Sequence, residues 1–170
     1  MVDKPEYPVV DFEQTRRRRL LDAGFVGMDK IPELDVLCKD AKEHFGTEVA
    51  AITLLTKELQ VLKGKAGIEA EQTPRELAFC NYTILEDAVF IVLDTLNDRR
   101  FRAHPFTTGY PFIRFYAGAP LTYLTDIRIG AFCLFDSRPR QNFTRGDQAE
   151  LVDFADRAVQ ILVSRLGKPT

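Results

Sequence analysis

The sequence has few of the residues that commonly build metal sites or disulfide frameworks. Its 170 residues include three cysteines and two histidines. Cys38, Cys80 and Cys133 lie far apart, which fits neither a disulfide framework nor the paired spacing of a zinc site. The histidines, His44 and His104, do not complete a ligand pattern with them. We therefore predict no metal site and no disulfide.

Long apolar runs and a large excess of one charge are also missing. No apolar run approaches the roughly 20 residues that span a bilayer. The first residues, MVDKPEYPVVDFEQ, are polar and acidic where a signal peptide would be apolar. The net charge of −2 argues against non-specific nucleic-acid binding, which usually needs a basic domain. These features predict a cytoplasmic protein that binds neither a membrane nor nucleic acid.

Common catalytic motifs are absent as well. The sequence contains no glycine-rich phosphate loop, no nucleophile elbow and no His-Glu zinc signature. With 45% apolar residues, the chain can bury one hydrophobic core. We expect an irregular arm over residues 1–10, a single non-catalytic domain over residues 11–167, and no catalytic residues.

The hydrophobic periodicity predicts helices and strands in mixed order. The predicted helices are residues 11–23, residues 32–45, a short segment carrying Leu77 to Cys80, and a last helix from Thr144 onward. The predicted strands are residues 49–55, 60–63, 88–93, 112–117, 121–124 and 128–135. Gly64 is expected to break the second strand. The run 88–93 is expected to be buried on both faces because it is continuously apolar.

Most connections between these strands are too short for parallel crossovers, so the sheet should be antiparallel. We predict an α+β fold with a central sheet of about six strands and the terminal helices on one face. Residues 69–85 and 94–111, with the short helix, would cover the other face. This arrangement would leave a pocket between the sheet and the loops.

Three segments carry a capping pattern at the start of a predicted helix. The pairs are Asp11 with Gln14, Thr73 with Glu76, and Thr144 with Asp147. The first of these helices contains four consecutive arginines, residues 16–19, which would fan around the helix surface. We expect them to be solvated or to pair with a partner rather than to bind nucleic acid or lipid.

The last helix carries more apolar residues than one core-facing stripe needs. Val152, Ile161 and Val163 lie outside the stripe that begins at Leu151. This surplus predicts a homodimer that forms through the terminal helices.

Four motifs in the second half of the chain resemble the GAF family of small-molecule sensory domains. They are Phe79-Cys80, DTLNDRRF at 94–101, FIRFYAGAPL at 112–121 and GAFCLFD at 130–136. The resemblance extends over about residues 15–165. It implies the same α+β fold and a stand-alone sensory domain. Such a domain binds a small molecule, signals through its terminal helices, and belongs to a larger regulator or docks to a separate output protein.

The resemblance does not imply a cofactor. In GAF domains that bind bilins, the attachment cysteine is usually followed by histidine, whereas Cys80 is followed by Asn81. The chain also lacks a DxCF-like segment and the Asn-Lys-x-x-x-Phe-x-x-x-Asp-Glu pattern of cyclic-nucleotide-binding members. We therefore expect no bilin and no haem.

The motifs supply candidate ligand-binding residues. The candidates are Cys80, Tyr82, Asp94, Arg100, His104, Arg114 and Tyr116. Arg114 suits a carboxylate or phosphate because guanidinium binds such groups through two parallel hydrogen bonds. It can equally pair with Asp94 or Asp136 and fix the loops to the sheet.

Two other interpretations stay open. Large side chains between residues 79 and 112 can fill the pocket and leave a protein-interaction scaffold. Alternatively, Cys80 can act as a thiol sensor or in an enzyme like the free methionine sulfoxide reductases, although it also suits a small core residue. We expect Cys38 and Cys133 to be core residues, too far from Cys80 in sequence for the loop-cysteine pattern of those reductases.

Overall fold

The computed structural model describes residues 6–166, and within that range the strands form one antiparallel sheet. The strands are β1 (Val49–Leu55), β2 (Leu59–Ala66), β3 (Gln72–Pro74), β4 (Phe90–Val92), β5 (Phe115–Tyr123) and β6 (Ile127–Asp136). Their order across the sheet is β3-β2-β1-β6-β5-β4, and every neighbouring pair is antiparallel. The predicted six-stranded antiparallel sheet is confirmed.

Helices cover one face of this sheet, and loops with short helices cover the other. The helices are α1 (Glu13–Ala23), α2 (Pro32–Phe45), α3 (Cys80–Thr83), α4 (Pro105–Thr108) and α5 (Arg145–Ser164). Single 3₁₀ turns occur at Arg75–Leu77 and Thr95–Asn97. One core cluster joins α1, α2 and α5 to the sheet, and a second joins α3 and the loops to the opposite face. The predicted α+β layering is therefore confirmed.

The predicted domain limits fall partly outside the described residues. The arm at residues 1–10 is described only from residue 6, and the predicted domain end at residue 167 lies beyond the last described residue. In the described part of the chain, no helix combines the length and apolarity needed to cross a membrane.

The capping prediction is correct for one helix and wrong for two. Thr144 and Asp147 form a reciprocal capping box, with hydrogen bonds of 3.0 and 2.8 Å. Helix α1 instead begins after Phe12 without a side-chain cap. Thr73 belongs to strand β3, which pairs with β2, and a 3₁₀ turn follows it. Sheet pairing therefore overrides the local capping signal at Thr73.

The last strands also differ from the prediction. The segments predicted as two strands, 112–117 and 121–124, form the single strand β5. Pro120 is tolerated because it pairs with β6 at a position beyond β4, so no second neighbour needs its missing N–H. Phe112 has a left-handed backbone with φ of 58°, which breaks the expected alternation and places Ile113 in the core beneath the loops.

The run 88–93 forms an edge strand rather than a strand buried on both faces. Only Phe90–Val92 pairs with β5, and Phe90 and Ile91 are half-buried. The continuously apolar sequence arises because Val89 and Ile91 pack toward the helix side while Phe90 packs toward the loop side.

Two glycines mark close contacts of the sheet. Strand β2 continues through Gly64, contrary to the prediction. The glycine is needed there because α2 lies so near that a Cβ would be 2.8 Å from Leu34 Cβ. At Gly130 a Cβ would lie 1.8 Å from the carbonyl oxygen of Thr53 in β1. Both positions require a residue without a side chain.

A buried ionic network fixes α1 to the sheet and to the start of the loop layer. The four arginines were expected to be solvated or to pair with a partner, and Arg16 is fully buried and paired rather than solvated. Its guanidinium donates to Glu13 at 2.7 and 2.8 Å and to the Leu55 carbonyl at 2.8 Å. Arg75, only 1% exposed, donates to the same Glu13 carboxylate at 2.8 Å and to the Asn81 side chain at 2.5 Å. Glu13 therefore bridges two buried cations.

Candidate functional site

A narrow cavity lies beneath the loop layer. It measures about 50 Å³, is partly open to solvent, and lies between β1, β2, β5 and β6 on one side and α3 and the α4 loop on the other. Its wall is mostly apolar, and none of the described residues that line it is charged. Phe79, Phe106, Pro111 and Ile113 form the roof and one side wall. The predicted position of the pocket is thus occupied by a real but small cavity.

Polar groups meet on the inner surface of this cavity. The Cys80 sulfur lies 3.1 Å from the Tyr116 hydroxyl and accepts a hydrogen bond from the Thr53 hydroxyl at 3.3 Å. Tyr116 OH also hydrogen-bonds Thr83 at 2.8 Å. Cys133 lines the same cavity. The cavity therefore offers two thiols and hydroxyls rather than a charged anchor.

Local sequence explains how these groups are positioned. Cys80 begins the one-turn helix α3, and the next residue, Asn81, accepts from Arg75 and donates back to the Arg75 carbonyl at 2.8 Å. Tyr116 has room for its ring because its neighbour two residues on is Gly118. A Cβ at Gly118 would lie 2.4 Å from the tyrosine hydroxyl. The Ala-Gly-Ala sequence of β5 thus makes space for a buried tyrosine.

Burial and hydrogen bonding shift the pKa values of this group. Burial raises the pKa of Cys80, but hydrogen bonds from Cys133, Thr53 and Tyr116 stabilise the thiolate and bring the pKa below its ordinary value. The pKa of Cys133 is raised, first by its hydrogen bond to Cys80 and then by desolvation. Burial also raises the pKa of Tyr116. Cys80 is therefore the member of this group that ionises first.

The structure places Asp94 and Arg114 away from the cavity. Arg114 donates to Asp94 at 3.1 and 3.3 Å, and this pairing lowers the pKa of Asp94. Asp94 also accepts from the Leu96 amide and caps a 3₁₀ turn. Of the two partners that the sequence suggested for Arg114, the side chain of Asp94 is the one it contacts. In this conformation the pair fixes the loop to the sheet.

Tyr82 and Arg100 lie at a separate surface groove beside β4. The groove measures about 270 Å³, and the Arg100 guanidinium lies 5.1–5.3 Å from the ring centres of Tyr82, Phe90 and Phe101. Arg100 is also paired with Asp98 at 2.7 Å. These contacts hold Arg100 against the aromatic cluster that supports the cavity roof.

His104 has a structural contact in the roof. Its Nδ1 accepts a hydrogen bond from the Phe106 amide at 2.9 Å and caps α4, and its ring packs edge-on against Phe79 at 4.8 Å. Desolvation lowers the pKa of His104, so its neutral form is favoured, as this acceptor role requires. His104 thus supports the roof without lining the cavity.

Two residues that line the cavity were missed from the sequence. Cys133 was expected to be a core residue, and Thr53 was placed only within the predicted strand 49–55. Their signal was weak: each is a polarisable or polar side chain inside an otherwise apolar run, on the face opposite the helices. Cys80 and Cys133 line the same cavity despite their separation in sequence, because the sheet brings β6 under α3. Among the described residues, no cluster of three or more histidine, cysteine or acidic side chains could hold a metal ion.

Comparison with known proteins is consistent with this architecture. A family model for the GAF domain matches residues 30–162. A cyclic di-GMP phosphodiesterase of Pseudomonas aeruginosa is 37% identical over 153 residues, which cover 89% of this chain and 25% of that protein. The chain thus spans about a quarter of the length of this curated relative.

Solved structures show the same fold at low sequence identity. The GAF domain of an Acinetobacter phosphoenolpyruvate-protein phosphotransferase has a TM-score of 0.66 and 14% identity, covering 92% of this chain and 96% of that one. The type II free methionine-R-sulfoxide reductase of Thermoplasma acidophilum has a TM-score of 0.64 and 16% identity, covering 81% and 94%. These two neighbours support the fold, and the family match supports a sensory or regulatory role. The chain belongs to the GAF domain family.

Proposed function

We propose that this domain is a non-catalytic cytoplasmic sensor that binds a small, uncharged, mostly apolar molecule in the cavity beneath the loops. The observation that carries the proposal is the apolar cavity with a few convergent hydrogen-bonding groups, Cys80, Thr53 and Tyr116 among them. Such a combination is typical of small-molecule sites. Because Arg114 is paired outside the cavity, a carboxylate or phosphate is a poorer fit.

The size of the cavity means that binding requires movement. Small-molecule sites typically measure about 300–1,000 Å³, whereas this cavity measures about 50 Å³. The α4 loop is the part of the roof best suited to move. It carries the exposed side chains of Tyr110 and Phe112, and Phe112 has a left-handed backbone that costs a non-glycine residue about 1–2 kcal/mol. Displacing Phe106 and Pro111 with this loop would enlarge the site.

The wall of the cavity is connected to α1. Asn81, next to Cys80, is bound by Arg75, and Arg75 shares the Glu13 carboxylate with Arg16. On the opposite face, α5 packs against β5 and β6. A ligand that moves α3 would therefore alter contacts of both terminal helices. It can shift the equilibrium between the arrangements with α3 in place and with α3 moved only as far as its affinities for the two differ.

The relative suggests an output. We propose that the domain regulates an enzyme of cyclic di-GMP turnover, either within the same polypeptide or as a separate protein, since a 37% identical region forms part of such a phosphodiesterase.

Ligand binding is tested by native mass spectrometry of the purified protein and a thermal-shift screen of small uncharged compounds, with organic acids and nucleotides for comparison. A ligand at about 100 times its dissociation constant should stabilise the fold by about 2.7 kcal/mol. The variant Ile68→Trp, at a half-buried lining position, should lose the shift. Leu21→Trp, at a position 63% exposed on α1, should keep it. Equal ligand-induced thermal shifts in both variants would mean that the ligand binds outside this cavity.

The small volume also favours a second candidate, an interaction scaffold with a filled interior. It predicts no bound compound in native mass spectrometry and no shift with any class of compound. It also predicts that Ile68→Trp leaves regulation of a partner enzyme unchanged, whereas the sensor proposal predicts a loss.

We further propose a homodimer through α5. Val152 and Val163 are 38% and 42% exposed and, eleven residues apart, lie on the same face of the helix. Changing both to glutamate should convert a dimer at micromolar concentration into a monomer in sedimentation velocity, because charge at an apolar interface is costly to desolvate. Leu124→Glu, at a turn residue 60% exposed, is the matched control and should leave the dimer intact. A wild-type monomer would refute the proposal.

A further inference from the structure

We infer that Cys80 and Cys133 form a dithiol site at which a small hydroperoxide is reduced while the two cysteines are oxidised to an intramolecular disulfide. This chemistry uses the same cavity as the sensor ligand proposed above, but its test needs no ligand, so either proposal can fail without the other. It follows from the position of two thiols that the sequence places on different elements and the fold places side by side.

The first argument is contact. Cys80 on α3 faces the sheet, where its sulfur contacts Thr53 on β1 and Tyr116 on β5, and Cys133 on β6, which lies between these two strands, lines the same cavity. Both residues belong to the core cluster beneath the loops, and α3 packs directly on β6. All three cysteines are free thiols in the structure, so both side chains are reduced.

The second argument is access. Both sulfur-bearing residues line the partly open cavity, although each is at most 3% exposed. A cavity needs about 10–15 Å³ of such space to hold one water molecule. A volume of about 50 Å³ therefore admits hydrogen peroxide, which has two heavy atoms, without movement of the roof.

The third argument is the difference between the two thiols. Cys80 has hydrogen-bond contacts with Thr53 and Tyr116, and its pKa is lowered, while the pKa of Cys133 is raised. Since the thiolate is the nucleophile, Cys80 attacks first and Cys133 resolves the product. Tyr116 and Thr53 hold the Cys80 sulfur in place through contacts of 3.1 and 3.3 Å.

The chemistry balances with hydrogen peroxide as the oxidant. The Cys80 thiolate attacks one peroxide oxygen, the O–O bond breaks, and the departing hydroxide takes a proton to become water, which leaves Cys80 as a sulfenic acid. The Cys133 sulfur then attacks the Cys80 sulfur, the S–O bond breaks, and the departing hydroxide takes the Cys133 proton. Two thiols lose two electrons and two protons in total, and two water molecules form. A cellular dithiol would restore the reduced state.

The test is peroxide titration of the full, reduced protein, followed by denaturation, alkylation of free thiols and intact-mass and peptide analysis. We expect loss of two hydrogen atoms, a fall from three free thiols to one, and a single linked peptide joining Cys80 to Cys133. The alkylated residue should be Cys38, which is buried on the helix side of the sheet and has its pKa raised by desolvation.

Three single variants separate the roles. Cys38→Ser should form the disulfide at the wild-type rate. Cys133→Ser should stop at the sulfenic acid, which dimedone traps on Cys80 when it is present as the protein is denatured. Cys80→Ser should react at least about tenfold more slowly, since it removes the thiolate. Sulfenic acid on Cys38, a Cys38 disulfide, or a wild-type protein that reacts no differently from Cys80→Ser would each overturn the inference. The peptide map of the wild type decides the matter even if a variant fails to fold.

Discussion

The Glu13→Gln variant is expected to lose about 3–5 kcal/mol of its free energy of unfolding, which is the usual cost of removing one partner from a buried ionic group. The carboxylate accepts hydrogen bonds from Arg16 and Arg75, which are 0% and 1% exposed. Glutamine keeps the shape of the side chain but carries no charge. Both guanidinium groups would then stay buried without the negative charge of Glu13, and urea denaturation followed by circular dichroism measures the loss.

The same network predicts a dependence of stability on pH. Burial raises the pKa of Glu13, but its hydrogen bonds and charge interactions with the two arginines outweigh burial and leave the pKa below its ordinary value of 4.5. The stabilisation is therefore fully present above the unfolded pKa and is lost as the pH falls through the folded pKa. From about pH 5 downward, the wild type should lose stability more steeply than Glu13→Gln.

The control for both experiments lies in the same arginine run. Arg18 is exposed, so Arg18→Gln should change the free energy of unfolding by at most about 0.5 kcal/mol, whereas Arg16→Gln should approach the loss seen for Glu13→Gln. Equal effects of Arg16→Gln and Arg18→Gln, or parallel pH profiles for the wild type and Glu13→Gln, would contradict the buried network.

Gly130→Ala is expected to destabilise the domain by about 3 kcal/mol or more, at or beyond the upper end of the usual cost of overpacking. The added methyl group would lie 1.8 Å from the Thr53 carbonyl oxygen, which belongs to the backbone of a central strand and cannot rotate away. This steric clash can be relieved only if β1 and β6 separate at the middle of the sheet. Thermal denaturation should show a strongly lowered midpoint or an insoluble protein.

A second glycine provides the matched comparison. Gly146 lies in the first turn of α5, where a Cβ would be 3.6 Å from the Thr144 hydroxyl, an ordinary contact. Gly146→Ala should be neutral or stabilise the protein by up to about 1 kcal/mol, because alanine reduces the freedom of the unfolded chain. If the two alanine variants melted alike, the close approach at Gly130 would not exist.

Local patterns predicted the parts of the fold that depend on local chemistry. The apolar stripe of α2 follows the helical period, and Gly46 ends this helix in a left-handed conformation. The capping box of Thr144 with Asp147 needs only residues three positions apart. These features are encoded within one or two helical turns, so the sequence alone specifies them.

Features that depend on distant contacts were not predictable in this way. The buried Arg16 donates to the Leu55 carbonyl, and its partner Glu13 also pairs with Arg75; only the folded chain brings Leu55 and Arg75 near. Likewise, no spacing rule places Cys133 against Cys80. The left-handed backbone at Phe112 interrupts the alternation of side chains that the sequence predicts for residues 112–117. A periodic sequence pattern carries no signal for such an interruption.

The candidate site was predicted in outline but not in composition. The cavity lies where the fold predicted it, and Cys80 and Tyr116 line it. Arg114, Arg100 and His104 instead support the loops around it. Motif residues of both kinds lie close together in the sequence, and a shared motif does not distinguish a residue that touches a ligand from one that holds the wall in place.

The outermost strands of the sheet, β3 and β4, are each only three residues long. Edge strands this short expose few unpaired amide and carbonyl groups, and Pro74 in β3 has no N–H to donate. The domain therefore gives other chains little opportunity to extend its sheet by backbone pairing. Short edges of this kind lower the tendency of a sheet to aggregate edge to edge.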